Sequence, residues 1–346
     1  MATKALVVEQ AQPAQVTSIA DPESLRGADI CALAELAPPQ VRAILELAAR
    51  VKARPGDFHS ALAHRQMALF FEKASLRTRV TFEVAINTLG GQAIFFDQTN
   101  APLGQRESLC DVSRNLERWV DVIVLRTFSH QTVLEMAEHA RIPVINALSD
   151  QEHPCQALAD LLTLEEHLGP LSNLRLAYVG DGNNVAHSLL LAAAHVGMDI
   201  TVATPKGYEP SAEVITRALQ IAAQTGAHIA VTNDPAAAVE GADAVYTDVW
   251  TSMGHEAEAD KRVPDFTPFQ VNSKLLAKAD NRAVFMHCLP AHRGEEVTAE
   301  VLDGPQSVVF DQAENRLHVQ KALLLLLLGE AAPTKRKSGR MTARIV

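Results

Sequence analysis

Short β-rich apolar runs alternate along the chain with amphipathic stretches of helical length, a pattern that predicts βαβ units and parallel sheets. There are two such series. In the first, strands are expected at 67–71, 93–96, 122–125 and 143–146, with helical patterns at 78–89, 107–120 and 131–140 between them. In the second, strands are expected at 174–179, 200–203, 229–231, 244–247, 284–287 and 308–310, again separated by helical patterns. The fold class this predicts is α/β: two doubly wound parallel-sheet domains linked by helices.

The join between the series is itself helical. Leu158, Leu161, Leu162, Leu164 and Leu168 form a broad apolar face over 154–168, with Pro154 at a first-turn position, His153 before it and Gly169-Pro170 as a stop. A last helix is expected over about 314–328, packing back on the body. These signals divide the chain into a first domain at 25–152 and a second at 153–328, which opens with the linking helix 153–168. Residues 1–24 read as a disordered extension and 329–346 as a solvated basic tail carrying Lys335, Arg336, Lys337, Arg340 and Arg344. A length of 346 residues agrees with two domains at roughly 150 residues each.

Composition narrows the function. Asp plus Glu exceed Lys plus Arg by 41 − 31, a formal charge of −10, which disfavours a generic nucleic-acid or polyanion binder. An anionic ligand must then be met by a few placed cations and backbone dipoles. Four cysteines, Cys31, Cys110, Cys155 and Cys288, lack the short paired spacings of a disulfide framework or zinc site and suit a reducing compartment. Residues 1–21 hold no Arg, one Lys and no continuous apolar core, unlike a secretory or transit peptide. The apolar run at 322–328 is far below the ~20 residues that span a bilayer. A soluble, cytoplasmic protein with no membrane partner is expected.

Ligands of open α/β sheets collect at the carboxyl ends of strands, so the polar turns there carry the candidate chemistry. Ser75-Leu76-Arg77-Thr78-Arg79 leaves a strand and enters a helix, offering two hydroxyls, two guanidinium groups and free backbone N–H groups for a phosphate. Arg126-Thr127 ends another strand. In His153-Pro154-Cys155-Gln156, His153 and Gln156 stand three apart on one helix face and, with Arg126, can supply donors to a carbonyl oxygen and an acceptor to its amide. Gly180-Asp181-Gly182-Asn183-Asn184 lacks the third Gly of a dinucleotide fingerprint, and Thr204-Pro205-Lys206 ends the next strand without an acid, so a nicotinamide cofactor is not expected. Finally, the segments 248–254 and 287–293 each follow a strand, so Asp248 and Cys288 can converge; His255-Glu256 lacks the second His of a zinc helix.

Together these motifs closely resemble the ornithine carbamoyltransferases, over about residues 25–328, with the segment Asp311-Gln312-Ala313-Glu314-Asn315-Arg316 as a further match. The resemblance implies that Ser75, Arg77 and Thr78, with the Leu76 backbone, hold the phosphate of carbamoyl phosphate. It implies that Arg126, His153 and Gln156 hold the carbamoyl group, and that Cys288, Leu289 and Arg316 complete that pocket. Asn184, Asp248, Ser252 and Met253 match the positions that bind the amino-acid end of ornithine. The first domain becomes the carbamoyl-phosphate domain, the second the L-ornithine domain, and a homotrimer is implied. Two positions depart from the family pattern: Leu76 stands where Thr is commoner, removing a hydroxyl, and Pro102 aligns with a Gln that some members send to a neighbouring subunit's phosphate site.

The reaction this implies is attack of the ornithine δ-amine on the carbonyl carbon of carbamoyl phosphate, giving citrulline and phosphate. Cys288 and Asp248 are expected to orient the amine or take its proton, while Arg77, Arg126 and His153 stabilise charge growing on oxygen. Phosphate leaves as a stabilised anion, so no metal, cofactor or covalent intermediate is required. The rivals are an aspartate carbamoyltransferase, whose acceptor Asp248 would repel, a relative using putrescine or N-acylated ornithine, and a catalytically retired regulatory paralogue. The expected biological setting is arginine and amino-acid biosynthesis, or the same reaction run in the catabolic direction.

Overall fold

The computed structural model describes residues 25–98, 103–251 and 259–329. The chain runs α1 (Pro38–Ala53), β1 (Gln66–Phe71), α2 (Leu76–Thr88), β2 (Gln92–Asp97), α3 (Leu109–Leu116), β3 (Val122–Arg126), α4 (His130–His139), β4 (Val144–Leu148) and α5 (Pro154–Leu168). The second half continues β5 (Arg175–Val179), α6 (Asn184–Val196), β6 (Asp199–Ala203), α7 (Ala212–Thr225), β7 (Ile229–Thr232), α8 (Pro235–Val239) and β8 (Ala244–Thr247). It closes with α9 (Ala259–Phe266), α10 (Ser273–Leu276), β9 (Val284–His287), α11 (Ala299–Leu302) and α12 (Val309–Leu328).

The strands form two all-parallel sheets, of order β2-β1-β3-β4 and β7-β6-β5-β8-β9. Strands covered on both faces read as continuous apolar runs, and Met67–Phe71 of β1 and Val122–Leu125 of β3 are buried throughout. Edge strand β2 instead alternates exposed and half-buried positions. Side-chain caps start the helices where the sequence supplies them: Ser75 accepts from Thr78 N, Ser108 from Asp111 N and Asn183 from Val185 N and Ala186 N. Gly197 and Gly226 end α6 and α7 in the left-handed region, at φ +74° and +87°.

Two helices weld the halves. Helix α12 packs on α1, α2 and α5, and also touches β9 of the second sheet. One apolar core therefore runs from Leu69 and Phe71 through Leu158 and Leu323 to Leu176 and Leu189.

The segment 308–310, expected as a strand, is corrected by the structure. Phe285 N donates to Gln306 O and Val308 N donates to Phe285 O, giving a single parallel bridge to β9 at Ser307. The chain then turns helical at Val309, and Gln312 N donates to Val308 O. Helical rotation buries Val309 and leaves Phe310 exposed, and Asp311 in the first turn favours the helix N-terminus. Consequently α12 begins five residues before the expected 314. Helix α3 is shorter than the expected 107–120, ending in a turn after Leu116.

Candidate active site

Each sheet reverses its winding once, and each reversal opens a crevice. In the first sheet it lies between β1 and β3, whose carboxyl ends deliver the 72–78 turn and Arg126. In the second it lies between β5 and β8, which deliver the Gly180–Asn184 turn and Asp248, with Cys288 following β9 alongside.

The first crevice is cationic. Arg126, Arg316 and His153 are buried, and Arg77 is half-buried at the start of α2. Thr78 is fully buried and its Oγ1 accepts from Arg316 Nη2. Gln156 Oε1 accepts from Arg316 Nη1 at 3.0 Å. The charges work against one another: burial, then the neighbouring Arg316 and Arg77, push Arg126 down to about 9. Burial and the same guanidinium groups hold the His153 imidazole well below its ordinary value, so it is neutral at pH 7. Burial also lowers Arg77 and Arg316. Arg126 Nε, Arg316 Nε and His153 Nδ1 are buried with no hydrogen-bond partner among the described residues. Cations concentrated this way, with unspent nitrogen atoms, fit an anion carrying several oxygens.

The second crevice is acidic. Asp248 is buried; its Oδ1 accepts from the Cys288 thiol at 3.0 Å and its Oδ2 from Asn183 Nδ2 at 2.8 Å. Burial and then Asp248 drive the Cys288 thiol well above its ordinary range, so it stays protonated and serves as a donor. Cys288 stands within electrostatic range of Arg77 and Arg126, which joins the two crevices. Leu289 takes a left-handed backbone at φ +57°, uncommon for a bulky side chain, and Leu289 N donates to His287 Nδ1 at 2.9 Å. His287 Nε2 then carries the proton and donates to the buried Glu296 Oε1 at 3.2 Å.

Ligand atoms of Asp248, His287 and Cys288 lie within 4.8 Å of one another. A cation there would have to displace hydrogen bonds already made by both His287 nitrogens and by the thiol.

The structure thus gathers Arg77, Thr78, Arg126, His153, Gln156 and Arg316 around one crevice, and Asp248 with Cys288 at the other. Ser75 caps α2, and Leu76 opens that helix with an exposed side chain. Asn184 reaches across to the first half, its Nδ2 donating to Ser149 O at 2.7 Å. Ser252, Met253 and Pro102 lie outside the described residues.

Four polar residues were missed by sequence reasoning. Asn183 touches Asp248, and Glu72 accepts from Leu103 N and Phe128 N, bracing the turn after β1. Asp160 and Gln312 lie beneath Gln156. Asn183 and Gln312 lie inside quoted motifs without a role assigned to them, and the i, i+4 spacing of Gln156 and Asp160 is the signal that could have found Asp160.

A donor-anion crevice facing an acid–thiol pair across two doubly wound sheets defines an enzyme that brings an anionic donor to a cationic acceptor. The chain belongs to the aspartate/ornithine carbamoyltransferase family: the family's carbamoyl-P binding domain matches residues 28–166 and its Asp/Orn binding domain residues 172–327. Among its relatives, the ornithine carbamoyltransferase of Anoxybacillus flavithermus is 52% identical over 306 residues, covering 88% of this chain and 98% of that protein. That of Acidothermus cellulolyticus is 53% identical over 297 residues, covering 86% and 95%. The solved ornithine carbamoyltransferase of Pyrococcus furiosus superposes with a TM-score of 0.86 at 48% identity, covering 89% of this chain and 99% of that one.

Proposed function

We propose that this chain transfers the carbamoyl group of carbamoyl phosphate to the δ-amine of L-ornithine, giving L-citrulline and phosphate. The observation that carries the reading is the Asp248–Cys288 hydrogen bond standing beside the Arg77–Arg126–Arg316 cluster. Ser75, Arg77 and Thr78, with the Leu76 N–H at the start of α2, take the phosphate. Arg126 and neutral His153 donate to the carbonyl oxygen, and Gln156 and the Leu289 segment hold the carbamoyl nitrogen. Asn184, Asp248, Ser252 and Met253 take the amino-acid end of ornithine. Residues 25–152 are read as the carbamoyl-phosphate domain and 153–328 as the ornithine domain, with the linking helix α5 lying within the stretch that matches the family's carbamoyl-P binding domain.

Only the free amine attacks. With the Lys value of ~10.4 as a stand-in, neutralising it at pH 7 costs about 4.6 kcal/mol. Asp248 supplies the negative charge that receives the α-ammonium group at the amino-acid end of ornithine. The Cys288 thiol, held protonated, orients the amine rather than deprotonating it: the δ-ammonium group gives up its first proton to solvent, and the second, shed as the C–N bond forms, leaves on the departing phosphate. As the tetrahedral intermediate forms, Arg126 and His153 meet the charge on its oxygen, and Arg77 with Arg316 stabilises the departing phosphate. An aspartate side chain in place of ornithine would bring a carboxylate against Asp248.

Among the described residues no helix is long and apolar enough to cross a membrane. A cytoplasmic setting and a role in arginine synthesis fit the substrates. Association into a homotrimer fits an apolar stripe on α2, where Leu76, Val80 and Val84 are 76%, 47% and 38% exposed and want cover from another subunit. The deciding experiment is a citrulline assay on the purified chain with ornithine, run beside aspartate, putrescine and N-acetylornithine. Turnover with ornithine at least ~100-fold above the others is expected, since a site built around a charged partner rejects analogues lacking it. Preference for another acceptor overturns the reading.

A further inference from the structure

Gln156 and Asp160 stand one turn apart on α5, both buried. Asp160 Oδ1 accepts from Gln156 Nε2 at 2.8 Å and from Gln312 Nε2 at 2.7 Å. On its other side, Gln156 Oε1 accepts from Arg316 Nη1 at 3.0 Å. A guanidinium only donates, and the carboxyl oxygen facing the amide accepts, so the Gln156 amide has one orientation. Turned over, it would set N–H against N–H and oxygen against oxygen. Gln312 is locked in the same way: its Oε1 accepts from His287 N at 2.9 Å, on the strand that leads to Cys288, and its Nε2 also donates to Tyr246 OH at 3.1 Å.

We propose that Asp160 is a specificity-determining positioning residue: it fixes Gln156 with its carbonyl oxygen toward the cationic crevice, so that the site selects an acyl phosphate whose acyl group bears an N–H. This rests on the carbamoyl-transfer reading and deepens it. One lone pair of Gln156 Oε1 is taken by Arg316, and the other is left for the carbamoyl nitrogen. Acetyl phosphate, of nearly the same shape and charge, presents a methyl group there and leaves that acceptor unmet. Burial lifts the Asp160 carboxyl to about 7, but its Oδ1 accepts in either protonation state. Asparagine can therefore stand in for it: its carbonyl oxygen keeps the place of Oδ1, and the Tyr246 hydroxyl, which also bonds the Asp160 carboxyl, can accept from its amide nitrogen.

The test measures calorimetric affinities of carbamoyl phosphate, acetyl phosphate and inorganic phosphate for the full chain and for Asp160→Asn, Asp160→Leu and Asp160→Ser. Expected is a loss of about tenfold or more for carbamoyl phosphate alone in Asp160→Leu, acetyl phosphate and phosphate shifting by less than about twofold. Asp160→Asn should stay within about threefold of the parent for all three ligands, a rescue that loss of packing would not give. If Asp160→Leu does not fold, Asp160→Ser, too short to reach either glutamine, is read by the same criteria. Unchanged discrimination, or equal weakening of all three ligands, overturns the proposal. Because affinity is read without an acceptor, a parent chain that discriminates the two acyl phosphates yet makes no citrulline overturns the ornithine reading and upholds this one.

Discussion

Arg77 stands half-buried on the first turn of α2, where it adds charge to the backbone N–H groups of that helix start. Replacing it with Gly removes a charge-assisted clamp from both the bound donor and the leaving phosphate. Citrulline formation is expected to fall by about 10²–10³ in kcat/KM for carbamoyl phosphate, and near-normal turnover in the same assay would sink the phosphate assignment. Cys288 belongs to a different step. Its thiol donates to Asp248 and stays protonated, so Cys288→Ser keeps a donor but changes its length and acidity at the point where the amine arrives. Turnover should drop by about tenfold or more while KM for carbamoyl phosphate moves by less than about threefold; equal losses would make the residue a binding group only. The sequence exposed these two residues because their chemistry is local, a charged helix start and a thiol after a strand. Asn183 and Gln312 stood inside quoted motifs without a role, because an amide side chain carries no signal until a partner is opposite it, and Asp248 and Asp160 come from 65 and 152 residues away.

Helix α5 shows how an element can be legible while its chemistry is not. Its leucine face, first-turn proline and Gly169 stop are all visible in the sequence, and the helix runs over Pro154–Leu168. Glu152, just before it, is buried and accepts from Leu33 N at 2.9 Å, tying the junction to the N-terminal part of the first half. Burial lifts its carboxyl to about 7, against an ordinary 4.5 for glutamate, with Glu35 adding to the lift and the Leu33 N–H opposing it. The folded state therefore holds a proton on Glu152 that the unfolded chain releases between pH 4.5 and 7. This contribution to stability is full below about pH 4.5 and is lost as pH rises through about 7. Glu152→Gln, which keeps an acceptor for Leu33 N without the charge, should gain stability relative to the parent by about 3 kcal/mol between pH 4 and pH 8 in urea unfolding. A difference independent of pH would mean that Glu152 ionises normally in the fold. The segment 308–310 gives the opposite lesson. Its apolar run fits a strand equally well, and the helix won because Val309 is needed in the core while Phe310 is not.

At the scale of the whole molecule, the apolar stripe on α2 and the open edge at β2 predict assembly. Val80→Glu, which puts a charge in the middle of the stripe, should convert a trimer into smaller species by light scattering after gel filtration; a monomeric parent, or a variant of unchanged mass, removes the assembly proposal. The alternation of apolar runs and helical periods determined the two parallel sheets from sequence alone, because strand burial on both faces and helix caps are written locally. The turns after β1, β3, β8 and β9 also announced themselves as polar breaks in that pattern. Tertiary structure alone decided which of these turns meet. The reversal of strand order in each sheet places the crevices, and α5 and α12 fasten them into one body. Three mutually repelling cations and a protonated thiol come together only at that meeting point, where burial and proximity shift their protonation from its ordinary range.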